Sequence, residues 1–414
     1  MSDDFYNHKF ANGFTLVAEK MRGVRSAAFT LLLPAGAAFD PPDRGGLSAM
    51  LVDLIFRGAG SRNSRQVTTD LDNLGTQRGE GVEAVHTSHF AATLGTSLIA
   101  TLEIYADIIR RPHLPADEVE AVRALALQEL QALEDEPRQK IFVELRSRHY
   151  AYPFGRPTVG VRAALESATH DELTRHHARM CRAAGAILGV AGDIDWPKLR
   201  DAVDRLFGDW PPGDDIRLES GPRGLHTDHI EHESTQTQIG IAYPTVPYRD
   251  PEYFSAQGAV TVLSGGSSSR LFTEVREKRG LCYAVYASYH SLLDTGSVVC
   301  YAGTTNERAQ ETLDVTLAEI ARVQRDVAAD EVARAQAGLK SSIIMQGESS
   351  SARSASVAAD WFHLGRVRSL AEMQSAIDAL SPESIMNHLE RHPPRDFTIV
   401  TLGPKSLEIN LVGE

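Results

Sequence analysis

The chain has 414 residues, of which 42% are hydrophobic, and its formal net charge is −13. This length exceeds that of one ordinary domain and predicts about two or three domains with substantial apolar cores. The basic residues are scattered without a stripe, which argues against nucleic acid or an anionic membrane surface as a partner.

Hydrophobic periodicity predicts strands and helices that follow one another without a strict βαβ rhythm. The predicted strands are 15–18, 27–33 and 84–94, and the predicted helices are 47–56, 64–74, 98–110 and 116–133. The loop at 40–46 and the glycine at 58 delimit the first of these helices. This mixture of strands and long helices predicts the α+β class.

The chain also contains an internal repeat. TLEIYADII at 101–109 is followed by ADEVEAVRALAL at 116–127, and TLDVTLAEI at 312–320 is followed by ADEVARAQAGLK at 329–340. A repeat of one element order per half chain indicates duplicated domains rather than a solenoid. The Pro- and Gly-rich segment 210–222 between the halves is typical of a linker. We therefore predict two tandem homologous domains, residues 1–219 and 220–414.

Cysteine usage and the first residues of the chain bear on its compartment. Cys181, Cys282 and Cys300 are widely spaced and form no CxxC pair, which indicates neither a disulfide framework nor a thiolate zinc site. The opening MSDDFYNHKF has no apolar segment typical of a signal peptide. The most apolar stretch, 27–39, is interrupted by Pro34 and is shorter than the ~18 residues of a membrane span. We expect a soluble protein of the cytoplasm.

The stretch SSSRLFTEVREKRGLCYAVYASY, residues 267–289, changes period in the middle. Helical spacing ends at Gly280, and residues 281–289 then alternate as one strand face. Arg276 and Tyr283 flank this corner, where a guanidinium and a hydroxyl are able to grip a peptide carbonyl or an oxyanion. The alternative is that Arg276 belongs to a solvated helix end and that Tyr283 packs half-buried on the sheet.

Other candidate motifs are weaker. His226, His229 and His232 recur every third residue, a spacing that alternates faces in a strand and therefore favours solvated histidines over a metal site. The Gly-rich segment 265–269 lacks the lysine and the spacing of a phosphate-binding loop. Neither a GxSxG elbow nor an HExxH motif occurs in the sequence.

Several stretches together resemble the pitrilysin/insulinase family of inverted-motif zinc peptidases, in particular its short two-domain members. They are ANGFTLV, GGLSAMLVDLIFRGAGSR, ADEVEAVRALALQEL, GDIDWPKL, FGDWPPG and SGGSSSRLFTEVREKRGLCYAVYASY, and they span nearly the whole chain. The resemblance implies two tandem homologous domains, each with a mostly antiparallel sheet packed with helices.

The resemblance also implies that the metal motif is degenerate. Active members carry HxxEH, in which two histidines bind zinc and the glutamate is the general base. This chain has Ala49, Val52 and Asp53 at those positions. Glu129 takes the place of the third ligand, although a plain surface acid is the simpler interpretation, and Val122 replaces a supporting acid. We expect no catalytic zinc in this chain.

The second domain retains the family's other feature. In this family an Arg and a Tyr seven residues apart reach the zinc site from the C-terminal domain, and Arg276 and Tyr283 match that spacing. Gly79 and Glu80 replace the Asn-Ala of the usual substrate strand. The resemblance thus implies a non-catalytic subunit that binds no cofactor and pairs with a homologous HxxEH subunit, which carries the zinc, to bind a peptide substrate. The alternatives are a structural or assembly protein derived from a processing peptidase and, less favoured, an active homodimer with an unusual metal site.

Overall fold

The computed structural model describes residues 4–214 and 216–410, and in them the chain forms two compact units with one large sheet each. Each unit is assembled from three separate chain segments. Unit 1 comprises the chain up to Ala132, Tyr152–Gly221 and Gln346–Arg368, and unit 2 comprises Leu133–Ala151, Pro222–Met345 and the chain from Ser369 onward.

Strands and helices are numbered separately in chain order. The strands are β1 (Phe5–Lys9), β2 (Thr15–Lys20), β3 (Ser26–Leu33), β4 (Gly58–Ala59), β5 (Arg62–Asn63), β6 (Gln77–Val82), β7 (Thr87–Leu94), β8 (Ile187–Gly192), β9 (Thr227–Glu231), β10 (Gln236–Thr245), β11 (Cys282–Ser291), β12 (Gly296–Thr305) and β13 (Thr398–Gly403). The helices are α1 (Leu47–Leu54), α2 (Ser64–Asn73), α3 (Leu98–Arg110), α4 (Val119–Glu134), α5 (Pro137–His149), α6 (Arg162–Ser167), α7 (His170–Met180), α8 (Trp196–Phe207), α9 (Tyr253–Ser264), α10 (Ala309–Arg322), α11 (Ala329–Gly347), α12 (Ser350–Leu364), α13 (Leu370–Asp378) and α14 (Pro382–Arg391). A π-helix spans Phe272–Glu277.

The sheet of unit 1 has the strand order β1-β2-β8-β3-β7-β6. Its pairs are antiparallel except for β2 with β8. Almost every residue of β3 is buried, because the strand lies at the centre of the sheet with β7 on one side and β8 on the other. On one face of the sheet Phe29 meets Tyr105 of α3 edge to face, with ring centroids 5.0 Å apart. The apolar strand predicted at 27–33 is therefore the spine of unit 1.

The sheet of unit 2 repeats this arrangement. Its order β11-β12-β10-β13-β9 corresponds strand for strand to β6-β7-β3-β8-β2, and the one parallel pair among its described strands, β9 with β13, corresponds to β2 with β8. The repeated segments lie on corresponding helices, TLEIYADII on α3 and TLDVTLAEI on α10. The predicted α+β class with two homologous, mostly antiparallel domains is confirmed.

Each large sheet has a glycine where a helix from a distant chain segment packs closely on it. In unit 1, α12 lies on β8 and β3, and a Cβ on Gly189 would sit 2.5 Å from the carbonyl oxygen of Ser354. In unit 2, α5 lies on β10 and β13, and a Cβ on Gly240 would sit 3.2 Å from Ile141 and Leu145. A larger side chain at Gly189 would force the helix away from the sheet.

Because α5 belongs to unit 2 and α12 to unit 1, neither unit is one continuous stretch of chain. The proposed sequence domains, 1–219 and 220–414, stay a prediction about how the duplicated halves are divided.

No helix in the described part of the chain combines the length and the apolar character needed to cross a membrane. The predicted cytoplasmic location stays a prediction.

Candidate functional site

The corner that carries Arg276 begins with a change in helix type. Residues 272–277 form a π-helix, in which the amide of Lys278 donates to the carbonyl of Thr273 at 2.9 Å. Gly280, at φ +60°, then turns the chain into β11. Wide turns of this kind are rare in helices and occur frequently at functional sites. The predicted helix-to-strand corner is present, with a local geometry that the sequence did not indicate.

Tyr283 lies at a bulge at the start of β11. Cys282 pairs with Thr304 and Ala284 pairs with Gly303, so Tyr283 has no partner residue on β12. Its side chain is 85% exposed. The prediction that Tyr283 shares a strand face with its alternate neighbours is wrong, because the extra residue breaks the two-residue period. The alternative of half-buried packing is wrong for the same reason.

Arg276 and Tyr283 are brought together by this bulge. The guanidinium carbon of Arg276 lies 5.3 Å from the ring centroid of Tyr283 and 4.7 Å from that of Phe272. Cation–π contacts at such distances hold the guanidinium between two rings without using its hydrogen-bond donors. Within the described residues, neither the Arg276 guanidinium nor the Tyr283 hydroxyl has a hydrogen-bonding or ion-pairing partner. Both groups therefore present unused donors.

The charges around Arg276 are arranged so that its own charge stays uncompensated. Glu274 accepts hydrogen bonds of 2.7 Å from Lys278 and from Arg279, which lower the pKa of its carboxyl group. Burial raises the pKa of the Cys282 thiol to about 11, and the charge of Arg276 opposes that rise. At neutral pH Cys282 is a neutral thiol, so it does not neutralise the guanidinium. The ion pairs at this helix end therefore involve the neighbours of Arg276 and not Arg276 itself.

In unit 1, the helix of the degenerate metal motif is firmly anchored. Asp40 accepts hydrogen bonds from the amides of Gly46 and Ser48, at 2.6 and 3.0 Å, and so satisfies the free donors at the start of α1. The ring of His176 approaches the same carboxylate to 3.1 Å, and all these groups lie inside the protein. The scaffold that positions the motif is therefore complete.

The donors that a catalytic zinc requires are missing from this scaffold. Ala49 carries no ligand atom, and Val52 is buried, with its side chain 8% exposed. Asp53 is half-buried on α1, and Glu129 is exposed on α4. Among the described residues, no group of three metal-ligating side chains converges at this motif. The residues present do not fit a catalytic zinc ion.

The charge of Asp53, within the motif, acts on the carboxyl group of Glu80 on β6. Burial raises the pKa of Asp53, and Arg57 opposes that rise. Desolvation also raises the pKa of Glu80, and the negative charge of Asp53 adds to it. Two mutually repelling carboxylates, without an imidazole, are unlike the ligand sets of zinc peptidases.

The other histidines predicted to form no site are not brought together. His226 approaches Asp396 at 3.2 Å, whereas the Nδ1 atom of His229 lies 2.9 Å from the hydroxyl of Thr401. The sequence analysis missed one group of potential metal ligands in unit 2. It consists of Glu252 and the two histidines of the segment HLERH at 388–392. The spacing of four between these histidines on a helix was the signal that would have found them.

Two family models match adjacent parts of the chain. Residues 15–161 match the model described as Insulinase (Peptidase family M16), and residues 167–339 match the model described as Peptidase M16 inactive domain. Together the two matches cover most of the chain.

Two curated relatives are similar to this chain over nearly their whole length. An uncharacterized zinc protease of Rickettsia felis is 25% identical over 409 residues, which cover 98% of this chain and 99% of the relative. An uncharacterized zinc protease of Bacillus subtilis is 23% identical over 398 residues, which cover 95% of this chain and 97% of the relative.

Solved structures show the same fold. A peptidase M16 inactive domain from Pseudomonas fluorescens superimposes with a TM-score of 0.89 at 21% identity and covers 98% of this chain and 99% of its own. A chain of Complex III2 from Candida albicans superimposes with a TM-score of 0.81 at 19% identity and covers 96% of both chains. The chain belongs to the insulinase/pitrilysin peptidase family, in its short two-domain form.

Proposed function

We propose that this chain is the non-catalytic subunit of a heterodimeric zinc peptidase. A homologous HxxEH subunit would supply the metal and the general base. This chain would contribute Arg276 and Tyr283 to substrate binding, together with part of the wall around the peptide. The observation that carries the proposal is the exposed Tyr283 at its bulge, stacked under a guanidinium whose donors are unused.

The chemistry of the pair suits a scissile peptide bond. The carbonyl oxygen becomes an oxyanion in the tetrahedral intermediate, and a guanidinium and a phenol both donate hydrogen bonds that strengthen as this charge develops. The bulge and the π-helix hold both groups in place before substrate arrives. Such preorganised donors favour the transition state over the bound substrate.

The missing zinc ligands of unit 1 support the same proposal. Ala49 and Val52 provide neither ligand nor base, yet α1 keeps the buried capping network around Asp40. A chain with this scaffold and no donors is suited to structural pairing with a competent subunit rather than to hydrolysis by itself.

The second candidate is a structural or assembly protein with no role in proteolysis. The observation that favours it is the likeness to a chain of Complex III2 from Candida albicans, at a TM-score of 0.81. This candidate predicts that the chain assembles with a partner and that Arg276 and Tyr283 contribute nothing to any turnover.

Co-expression with a candidate HxxEH subunit tests the proposal. The proposal predicts a stable heterodimer that hydrolyses a fluorogenic, unstructured peptide, whereas neither chain alone does so. A heterodimer without peptidase activity would support the assembly role instead. Hydrolysis by the purified single chain would overturn both candidates and would favour the third alternative, an active enzyme with an unusual metal site.

A further inference from the structure

A group of potential metal ligands lies in unit 2, where α9 begins and α14 ends. The ligand atoms of Glu252, His388 and His392 all lie within 4.8 Å of one another. Glu252 immediately precedes α9, and its side chain accepts no hydrogen bond from the first turn of that helix. His388 is in the last turn of α14, and His392 is the residue at its end. The carboxylate is therefore directed at two imidazoles from one helix.

The distances from the carboxylate to the two imidazoles are close to those around a small tetrahedral ion. Oxygen Oε2 of Glu252 lies 3.0 Å from Nδ1 of His388 and 3.6 Å from Nε2 of His392. Two ligands that are each about 2.1 Å from a tetrahedral zinc ion lie roughly 3.4 Å apart. The rings of the two histidines are 5.2 Å apart and are inclined by only 32°. Small side-chain adjustments would complete the coordination.

The surroundings also suit a cation. The other ring nitrogen of His388, Nε2, lies 3.4 Å from the hydroxyl of Thr245, the kind of contact that fixes the orientation of a metal-binding imidazole. The carbonyl groups at the end of α14 give that end a partial negative charge. His388 is buried, whereas the His392 side chain is 39% exposed, so the group has a protected side and an open side.

Two contacts compete with a metal. One is the hydrogen bond of 3.0 Å between Nδ1 of His388 and Oε2 of Glu252, whose proton a metal ion would displace, and the other is the ion pair of Glu252 with Arg391. The Nη2 atom of Arg391 lies 2.9 Å from Oε1 of Glu252 and leaves Oε2 facing the histidines. Glu252 would therefore act as a monodentate ligand. A carboxylate with two imidazoles favours zinc and the neighbouring late first-row metals over magnesium or calcium.

We infer that Glu252, His388 and His392 form a binding site for zinc or a similar divalent transition metal, with water completing the coordination. The metal would tie the start of α9 to the end of α14. This site lies in unit 2, whereas the degenerate motif is in unit 1, and the inference does not rest on the proposed function. The inferred site would bind a metal outside the peptidase motif, whereas the sequence resemblance implies a chain that binds no metal.

Zinc titration of the full-length, EDTA-treated chain against a chromogenic chelator tests the inference. We expect one zinc ion per chain. We expect His392→Ala and Glu252→Gln each to weaken binding at least 100-fold, since the loss of a mere supporting group costs about 10- to 100-fold. Cobalt should give the intense visible absorption of a tetrahedral complex, and this absorption should disappear in both variants.

Two controls keep the test specific. His232→Ala removes an imidazole from the run HTDHIEH and should leave the zinc affinity unchanged. Arg391→Ala should leave the affinity unchanged or raise it, because it removes a positive charge from the site. His392 is partly exposed at the end of α14, so its variant is expected to fold, and a thermal melt checks this. The inference is overturned if the wild-type chain binds no zinc at micromolar concentration, or if His392→Ala binds it as tightly as wild type.

Discussion

Replacing Tyr283 with phenylalanine removes one hydroxyl group and leaves the bulge and the ring in place. The ring stays 5.3 Å from the guanidinium of Arg276, so the cation–π contact, worth about 0.5–1 kcal/mol at an exposed site, is retained. Because the hydroxyl has no partner within the described residues and the side chain is 85% exposed, the free energy of unfolding should change by less than about 0.5 kcal/mol.

The effect on turnover should be much larger. If the hydroxyl donates to the oxyanion in the assembled enzyme, its loss should lower kcat by about 10²–10³, equivalent to roughly 2.7–4 kcal/mol of transition-state stabilisation. An interaction formed only in the transition state lowers kcat and kcat/KM by the same factor. Arg276→Ala should show the same pattern, since it removes the second donor. Steady-state cleavage of a fluorogenic peptide by the heterodimer measures kcat and kcat/KM.

Tyr286 provides a matched control on the same strand. Its hydroxyl accepts a hydrogen bond of 3.2 Å from Arg138, so Tyr286→Phe removes a tyrosine hydroxyl that already has a structural partner. We expect its kcat to stay within about threefold of wild type, because the hydroxyl that is lost contacts a solvent-exposed guanidinium and not the substrate. If Tyr283→Phe also stays within threefold while the heterodimer remains intact, the proposed catalytic contribution is refuted.

Two further predictions concern stability. Asp360→Asn replaces the buried carboxylate that accepts bonds of 2.8–3.2 Å from the amide and the guanidinium of Arg368 with a neutral amide. It should destabilise the chain by about 3–5 kcal/mol in urea unfolding, and an unchanged midpoint would contradict this. Burial, and to a lesser extent the charge of Arg223, lowers the pKa of His149 to about 4. The folded state therefore binds fewer protons than the unfolded state, and the free energy of unfolding should fall as the pH drops from about 6.5 to 4. The loss should reach roughly 2–3 kcal/mol at pH 4.5, and His149→Gln should show a shallower dependence of the urea midpoint on pH.

Those features of the fold that repeat along the chain could be predicted from the sequence. The segments TLEIYADII and TLDVTLAEI predict duplicated domains, and they lie on α3 and α10 at corresponding places in the two units. The buried strand at 27–33 and the helix from 47 are confirmed within a few residues. Apolar periodicity and helix-end residues are local signals, so one sequence is enough to read them.

The placement of α5 and α12 could not be predicted in this way. Each is an ordinary helix by its own residues, and its position depends on a glycine far away in the sequence, Gly240 beneath α5 and Gly189 beneath α12. A glycine within a strand signals a close approach without identifying what approaches. Tertiary packing, and not propensity, determines which sheet such a helix covers.

The sequence predicted which two residues form the candidate site, but not how their side chains are placed. Strict alternation places Tyr283 on the buried face of β11, whereas the bulge between Cys282 and Ala284 turns it outward. A single inserted residue leaves the hydrophobic pattern of the strand intact, so the period gives no sign of it. Likewise, the histidines of HLERH lie four apart in the sequence, but the carboxylate that meets them is more than a hundred residues away.

The corner departs from what stability alone would favour, which supports the proposed role of Arg276 and Tyr283 in binding a substrate held by a second subunit. A side chain that is 85% exposed contributes little to the core, and a bulge interrupts the ladder between β11 and β12. The guanidinium forgoes the ion pairs that Glu274 makes with its neighbours. A fold that needed only stability would gain from a regular strand and a paired arginine. Both departures are useful if the free donors bind the carbonyl group of a peptide substrate while a different chain holds the catalytic metal.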